Sequence, residues 1–171
     1  MMRVLVIAGI LLFNIIVQSA IFPFIRIGGI GPDTLMIITL AFALQTGSIR
    51  GAIVGFTGGL LQDILFADVL GLNALIYMLI GYIAGLLYDR VFIDKLFLPI
   101  FFVFLATLLK DFLNLVYLFF RGTQTSFSFA FARYILPEAI YTIILTPLFY
   151  YLLYQLNEKK FMNQKWHFRS D

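Results

Sequence analysis

The stretch GAIVGFTGGLLQDILFADVLGLNALIYMLIGYIAG, residues 51–85, decides how this chain folds. Gly51, Gly55, Gly59 and Asp63 recur at every fourth position, and Gly58 and Gln62 widen the same face. Residues four apart lie along one ridge of a helix. A second ridge follows in Asn73, Tyr77, Gly81, Gly85 and Asp89. Small residues let two helix backbones approach closely, which is how helices associate where lipid is the solvent. The link between the two ridges is about four residues long, so the helices should be antiparallel neighbours. That geometry brings Asp63, at the end of one ridge, beside Asn73, at the start of the other. Asp63 should then accept hydrogen bonds from the Asn73 amide or from free backbone N–H groups, and the positive end of the helix dipole favours an anion there. Asp68 reads as the N-cap of the second helix. The polar residues either pin a tight helical hairpin or also dock something.

Composition agrees with lipid as the solvent. The chain of 171 residues is 62% hydrophobic, 18% aromatic and only 12% charged. A soluble domain is roughly 45–50% apolar and about 25% charged. So large an excess cannot be hidden in a core of this size, because a small domain exposes too much surface. The net charge of +3 comes with basic residues gathered at the end of the chain, Lys159, Lys160, Lys165 and Arg169. Nucleic-acid binding would need a basic face interleaved with aromatics, and the sequence has none. Trp166 between those cations suits a membrane interface, where the partner is lipid. There is no cysteine, hence no disulfide or thiolate chemistry.

Six apolar segments read as spanning helices, 4–22, 33–46, 51–66, 71–88, 96–120 and 132–154, in one membrane domain with 155–171 as a cytoplasmic tail. Segments two and three are short for a bilayer of about 30 Å and could thin it or form a re-entrant pair. Arg3 before an apolar run resembles a signal peptide, but Gln18-Ser19-Ala20 lacks the expected small residue before the cut, so an uncleaved span is expected. Lys and Arg in the short loops set the orientation. Arg3, Arg50, Arg90, Lys95 and the four tail residues fall on one side, against Arg26, Arg121 and Arg133 on the other, eight against three. Both termini are therefore expected in the cytoplasm.

Spans five and six carry further polar residues. Thr107, Lys110, Asn114 and Tyr117 share one face of span five, with Asp111 beside them. On span six, Tyr134, Glu138, Thr142 and Thr146 form a row, and Pro137 and Pro147 should loosen that helix. Lys110 is expected to reach Glu138, Asp63 or Asp111, giving an intramembrane polar cluster in the outer half of the bundle. Such residues mark function by default, and an internal salt bridge that fixes helix order is the equal alternative. Catalysis is not expected. The single histidine, His167, lies in the tail. No metal-ligand spacing, no Ser–His–Asp set and no phosphate loop is present, and Gly28-Gly29-Ile30-Gly31-Pro32 reads as a turn. No cofactor is expected.

Pro32-Asp33, Gly47 with Gly51, GAIVGFTGGLLQDIL (51–65) and LGLNALIYMLIGYIAG (70–85) resemble the bacterial rod-shape-determining MreD family. The pattern is Gly-x-x-x-Gly-Phe-x-x-Gly-Leu-x-x-Asp followed by Gly-Leu-Asn-Ala, and the resemblance covers 32–85. The Lys110–Asp111 pair is not part of it. The resemblance implies a non-enzymatic inner-membrane scaffold of the wall-elongation machinery that binds the single-span protein MreC. Through MreC it would act on the glycosyltransferase and transpeptidase of peptidoglycan synthesis, alongside the filament MreB. It also implies a fold similar to the six-helix substrate-binding subunits of energy-coupling-factor transporters. A solute-binding subunit of such a transporter is accordingly the alternative function. In the scaffold reading the spare ridge surface on spans three and four, or the aromatic face of span five (Phe101, Phe102, Phe104), receives the partner helix.

Overall fold

The structure, a computed structural model, describes residues 2–26, 29–67, 69–88, 97–122 and 127–158. The chain forms helices α1 (Met2–Ala20), α2 (Phe22–Ile25), α3 (Thr34–Thr46), α4 (Ser48–Phe66), α5 (Leu72–Gly85), α6 (Phe97–Phe120), α7 (Phe127–Ala130) and α8 (Leu136–Glu158). A π-helical turn, Phe131–Ile135, joins α7 to α8. Among the described residues there is no strand. Asp68, Asp89, Arg90, Lys95 and the basic tail with Trp166 and His167 lie outside the described residues, so the expected Asp68 cap does too.

The centre of the molecule is α3. Its sequence is apolar all round, and a helix of that kind is stable only when surrounded. Every residue from Thr34 to Leu44 is buried, and α3 packs against α1, α4, α5, α6 and α8. Outside this centre the logic inverts. Large apolar side chains such as Ile53, Ile64, Leu105 and Ile144 are more than half exposed, as expected where acyl chains supply the surroundings. Three helical stretches, Ser48–Phe66, Leu98–Phe120 and Phe131–Leu156, are long and apolar enough to cross a membrane. Val4–Ala20, Thr34–Thr46 and Leu72–Gly85 are shorter apolar helices.

Three boundaries differ from the sequence expectation, the start of segment three and the ends of segments four and six, α8 running to Glu158 where the sixth segment was expected to stop at 154 and the tail to begin. Segment three is not short: α4 begins at Ser48 and runs for 19 residues, roughly 28 Å at helical rise. Gly47, with φ of 97°, turns the chain between α3 and α4 in a single residue, a conformation that glycine adopts without strain. Arg50 then stands in the first turn of α4 with its side chain exposed, where a long cationic stem can extend to water. Segment four is shorter than 71–88, because α5 ends at Gly85 and residues 86–88 form turns. The helix is not broken at Pro147, which lies inside α8. The irregularity falls before Pro137 instead, where the Leu136 N–H bonds the Phe131 carbonyl five residues back.

The glycine ridges join α4 to α5. A Cβ added to Gly51 would lie 2.6 Å from the Gly81 carbonyl oxygen, and one on Gly59 would lie 2.7 Å from the Ala74 Cα. Cβ atoms on Gly55, Gly81 and Gly85 would strike the backbones of Tyr77, Gly51 and Ser48. The two backbones are thus in contact along the whole hairpin. The ridges are filled by each other and by α3, whose Ala43, Thr39 and Leu35 side chains meet the added Cβ positions of Gly51, Gly55 and Gly58, so a partner helix would need surface on α4 and α5 outside these contacts.

Candidate functional site

Asp63 stands where the α4–α5 hairpin closes, and it is fully buried. Its Oδ2 accepts from the N–H of Gly71 at 2.9 Å and of Ala74 at 3.0 Å, and its Oδ1 from the N–H of Asn73 at 3.3 Å. These are donors of the first turn of α5, left without intrahelical partners. Asn73 contributes its backbone N–H rather than its side-chain amide. Gly71, at φ of 96°, makes the turn that aims these donors back at α4.

A second polar centre lies at the start of α3. Asp33 follows Pro32 and caps the helix, its Oδ1 accepting from the Met36 N–H at 2.9 Å. Its Oδ2 accepts from the Tyr77 hydroxyl at 2.6 Å and from the Lys110 ammonium at 2.7 Å. The same ammonium donates to Glu138 Oε1 at 2.5 Å and lies 3.3 Å from Asp111 Oδ1. The Asp33 N–H donates to Thr142 Oγ1 at 2.9 Å, and that hydroxyl donates to the Glu138 carbonyl at 2.7 Å. One cation therefore links α3, α6 and α8, with Tyr77 adding α5. Lys110 is buried, and its apolar stem crosses the core to bring the charge to these acceptors.

The structure brings Lys110, Asp111 and Glu138 together but separates Asp63 and Asn114 from them. Among the described residues no ion pair joins Lys110 to Asp63, because the Asp63 oxygens are occupied by the α5 terminus. Asn114 is half-buried one turn further along α6 and makes no hydrogen bond to the cluster. The residue missing from the sequence reading is Asp33. A Pro-Asp pair ahead of an apolar run signals a helix start, and nothing local reveals its bond to Lys110. Asn14 was also unread: it is buried in α1 and its Nδ2 donates to Thr34 Oγ1 at 2.6 Å.

A cleft of about 330 Å³ opens beside the charge cluster. Its floor holds Asp33, Lys110 and Glu138. Its walls come from Gln18 of α1, Gln62 and Phe66 of α4, Tyr134 of the π turn, and the segment Gly29–Pro32, with Arg26 also on the lining. The C-terminal ends of α1 and α4 thus share a rim with the starts of α3 and α8, as alternating helix directions require.

Residues 1–160 match the family of the rod shape-determining protein MreD. The chain belongs to the MreD family. The match extends well beyond the 32–85 stretch on which the sequence resemblance rests, and it includes α6 and α8 with Lys110 and Glu138. MreD membership makes this a membrane protein with a role in rod-shape determination. No curated protein and no solved structure gives a significant match, so the expected likeness to transporter subunits gains no support, nor does the solute-binding alternative.

Proposed function

We propose that this MreD-family chain is a non-enzymatic scaffold of the bacterial rod complex. It crosses the cytoplasmic membrane six times with both termini in the cytoplasm, and it binds the transmembrane helix of an MreC-like single-span protein. Through that protein it helps regulate the glycosyltransferase and transpeptidase that build peptidoglycan, alongside MreB. The observation that carries the reading is the family match over residues 1–160. The internal chemistry supports it. The buried carboxylates Asp33 and Asp63 are engaged by helix-terminus N–H groups, a tyrosine and a lysine of the bundle itself, which holds helices in order rather than presenting reactive groups.

The glycine ridges being filled, the partner helix needs another face. Phe101, Leu105, Leu109 and Phe112 form an exposed stripe at helical spacing on α6. Its aromatic rings offer contact area to a transmembrane helix without burying a charge. The test is recovery of the MreC-like partner with the tagged full-length chain from detergent-solubilised host cells. Phe101→Ala with Phe112→Ala should lose the partner and round the cells while the thermal stability of the purified chain is unchanged. Recovery of no MreC-like protein with the unaltered chain would reject the scaffold reading, and undiminished recovery with the double variant would reject this face.

A further inference from the structure

The cleft beside the charge cluster has three features that the internal network does not use. Gln62 Oε1 is buried on its wall with no hydrogen-bond partner among the described residues. Arg26 lines it with an exposed guanidinium and no ion pair among the described residues. Glu138 gives one oxygen, Oε1, to Lys110 while its side chain stays 23% exposed. The cleft therefore offers a free cation at one place and free acceptors at another. The π turn stands on the same wall, placing Tyr134 in the lining and Glu138 on the turn that follows, and such irregular turns concentrate at functional sites.

The surroundings identify the kind of molecule. Apart from Lys110, which reaches in from the middle of α6, the lining comes from helix ends and the segments beside them, which is where a membrane-spanning bundle meets the headgroup layer. Immediately before Arg26, the side chains of Ile21, Phe24 and Ile25 are exposed, and Phe66 is half exposed at the end of α4. An apolar track thus leads up to the polar cleft. We propose that the cleft binds the headgroup of an amino-phospholipid. Its phosphodiester pairs with Arg26, its ammonium N–H groups donate to Gln62 Oε1 and Glu138, and its acyl chains lie along Ile21, Phe24 and Phe66. The inference depends on the chain being membrane-embedded, and not on which protein it binds.

The full-length chain, purified in detergent, is offered equal amounts of phosphatidylethanolamine, phosphatidylcholine and phosphatidylglycerol, and the retained lipid is read by native mass spectrometry. Phosphatidylcholine has no N–H to donate, and phosphatidylglycerol has no cation. Phosphatidylethanolamine should be retained about tenfold over either, the factor that one hydrogen bond to a charged group is worth. Gln62→Leu, similar in volume, should abolish the preference, and Arg26→Ala, at an exposed position, should lower retention of all three lipids, each at unchanged melting temperature in lipid-free detergent. Equal retention of the three lipids, a preference that survives Gln62→Leu, or undiminished retention in Arg26→Ala overturns the proposal. So does soluble glycerophosphoethanolamine stabilising the chain as well as the lipid does, which would make a free phosphodiester the ligand. Photo-crosslinking from position 62 in cells should capture lipid, and capture of a polypeptide there overturns it as well.

Discussion

The Lys110 ammonium lies 2.7 Å from the Asp33 carboxylate, across 77 positions of sequence. Neither charge would be tolerable in lipid alone. Together they place the start of α3 against the middle of α6, and Glu138 draws in α8 through the same ammonium. Asp33 is held from four directions, by Met36, Tyr77 and Lys110 at its carboxylate and by Thr142 at its N–H. The contact thus acts as a register mark: slide any one of these helices by a turn and a buried charge loses its partner. Burying a salt bridge adds little net stability against an apolar equivalent, so its main effect is on which arrangement forms.

Removing one partner should therefore do more harm than removing both. Lys110→Met leaves Asp33, Asp111 and Glu138 facing one another without a cation, and breaking a buried pair in this way costs about 3–5 kcal/mol. The double variant Lys110→Met with Asp33→Asn should be less destabilised than the sum of the two single changes. Thermal unfolding of the purified variants measures both, and simple additivity would show that the two residues act independently.

Asp63 makes a different prediction, because its donors are all backbone. Asp63→Ala strips the first turn of α5 of its acceptor and should cost about 1–3 kcal/mol, the cost of leaving a buried polar group unmatched. Asp63→Asn keeps one carbonyl oxygen but turns an NH₂ towards N–H groups, so it should recover only part of the loss. Amide hydrogen exchange at Gly71, Asn73 and Ala74 should accelerate in both variants. Unaltered exchange at these three amides would disconnect Asp63 from the hairpin.

The glycine contacts separate cleanly from an ordinary helical glycine. In Gly55→Ala the new methyl strikes the Tyr77 carbonyl, which belongs to a backbone and cannot swing aside. Overpacking of this kind costs about 1–3 kcal/mol, and Gly55→Leu and Gly81→Leu should prevent folding. Gly9 has nothing within 4 Å of an added Cβ. Gly9→Ala should raise stability slightly, by about 0.5–1 kcal/mol, through helix propensity alone. A melting temperature for Gly55→Ala equal to that of Gly9→Ala would sink the backbone-contact description.

How much of this was legible follows from sequence distance. The α4–α5 hairpin could be read because its signal is local and periodic: glycines every fourth residue, a short link, and a carboxylate at the end of one ridge. The Asp33–Lys110 bond could not be read, since Lys110 had several carboxylates to choose from and only the packing of α3 at the centre selects among them. Asp63 was a reasonable candidate by depth, but a nearer set of donors had already claimed it. The start of α4 was misplaced for another reason. Arg50 looked like a loop charge, whereas a lysine or arginine in a terminal turn can stay inside the helix and extend outward. The filling of the glycine ridges was a matter of degree: the spacing announced close approach, while the packing of α3 against the same glycines could not be read from it.

The proposed six crossings can be tested directly because the chain has no cysteine. Arg50 and Arg121 both carry exposed side chains, at the start of α4 and just past the end of α6. Alternating helix directions put them on opposite sides: α4 starts at one rim, and α6, two crossings later, ends at the other. With both termini cytoplasmic, Arg121→Cys should react with a membrane-impermeant maleimide added to spheroplasts, and Arg50→Cys only after permeabilisation. The excess of Lys and Arg on the Arg50 side gives the same orientation. Labelling of both variants from outside, or of neither, would mean an even number of crossings between the two positions, and the six-crossing reading would fall.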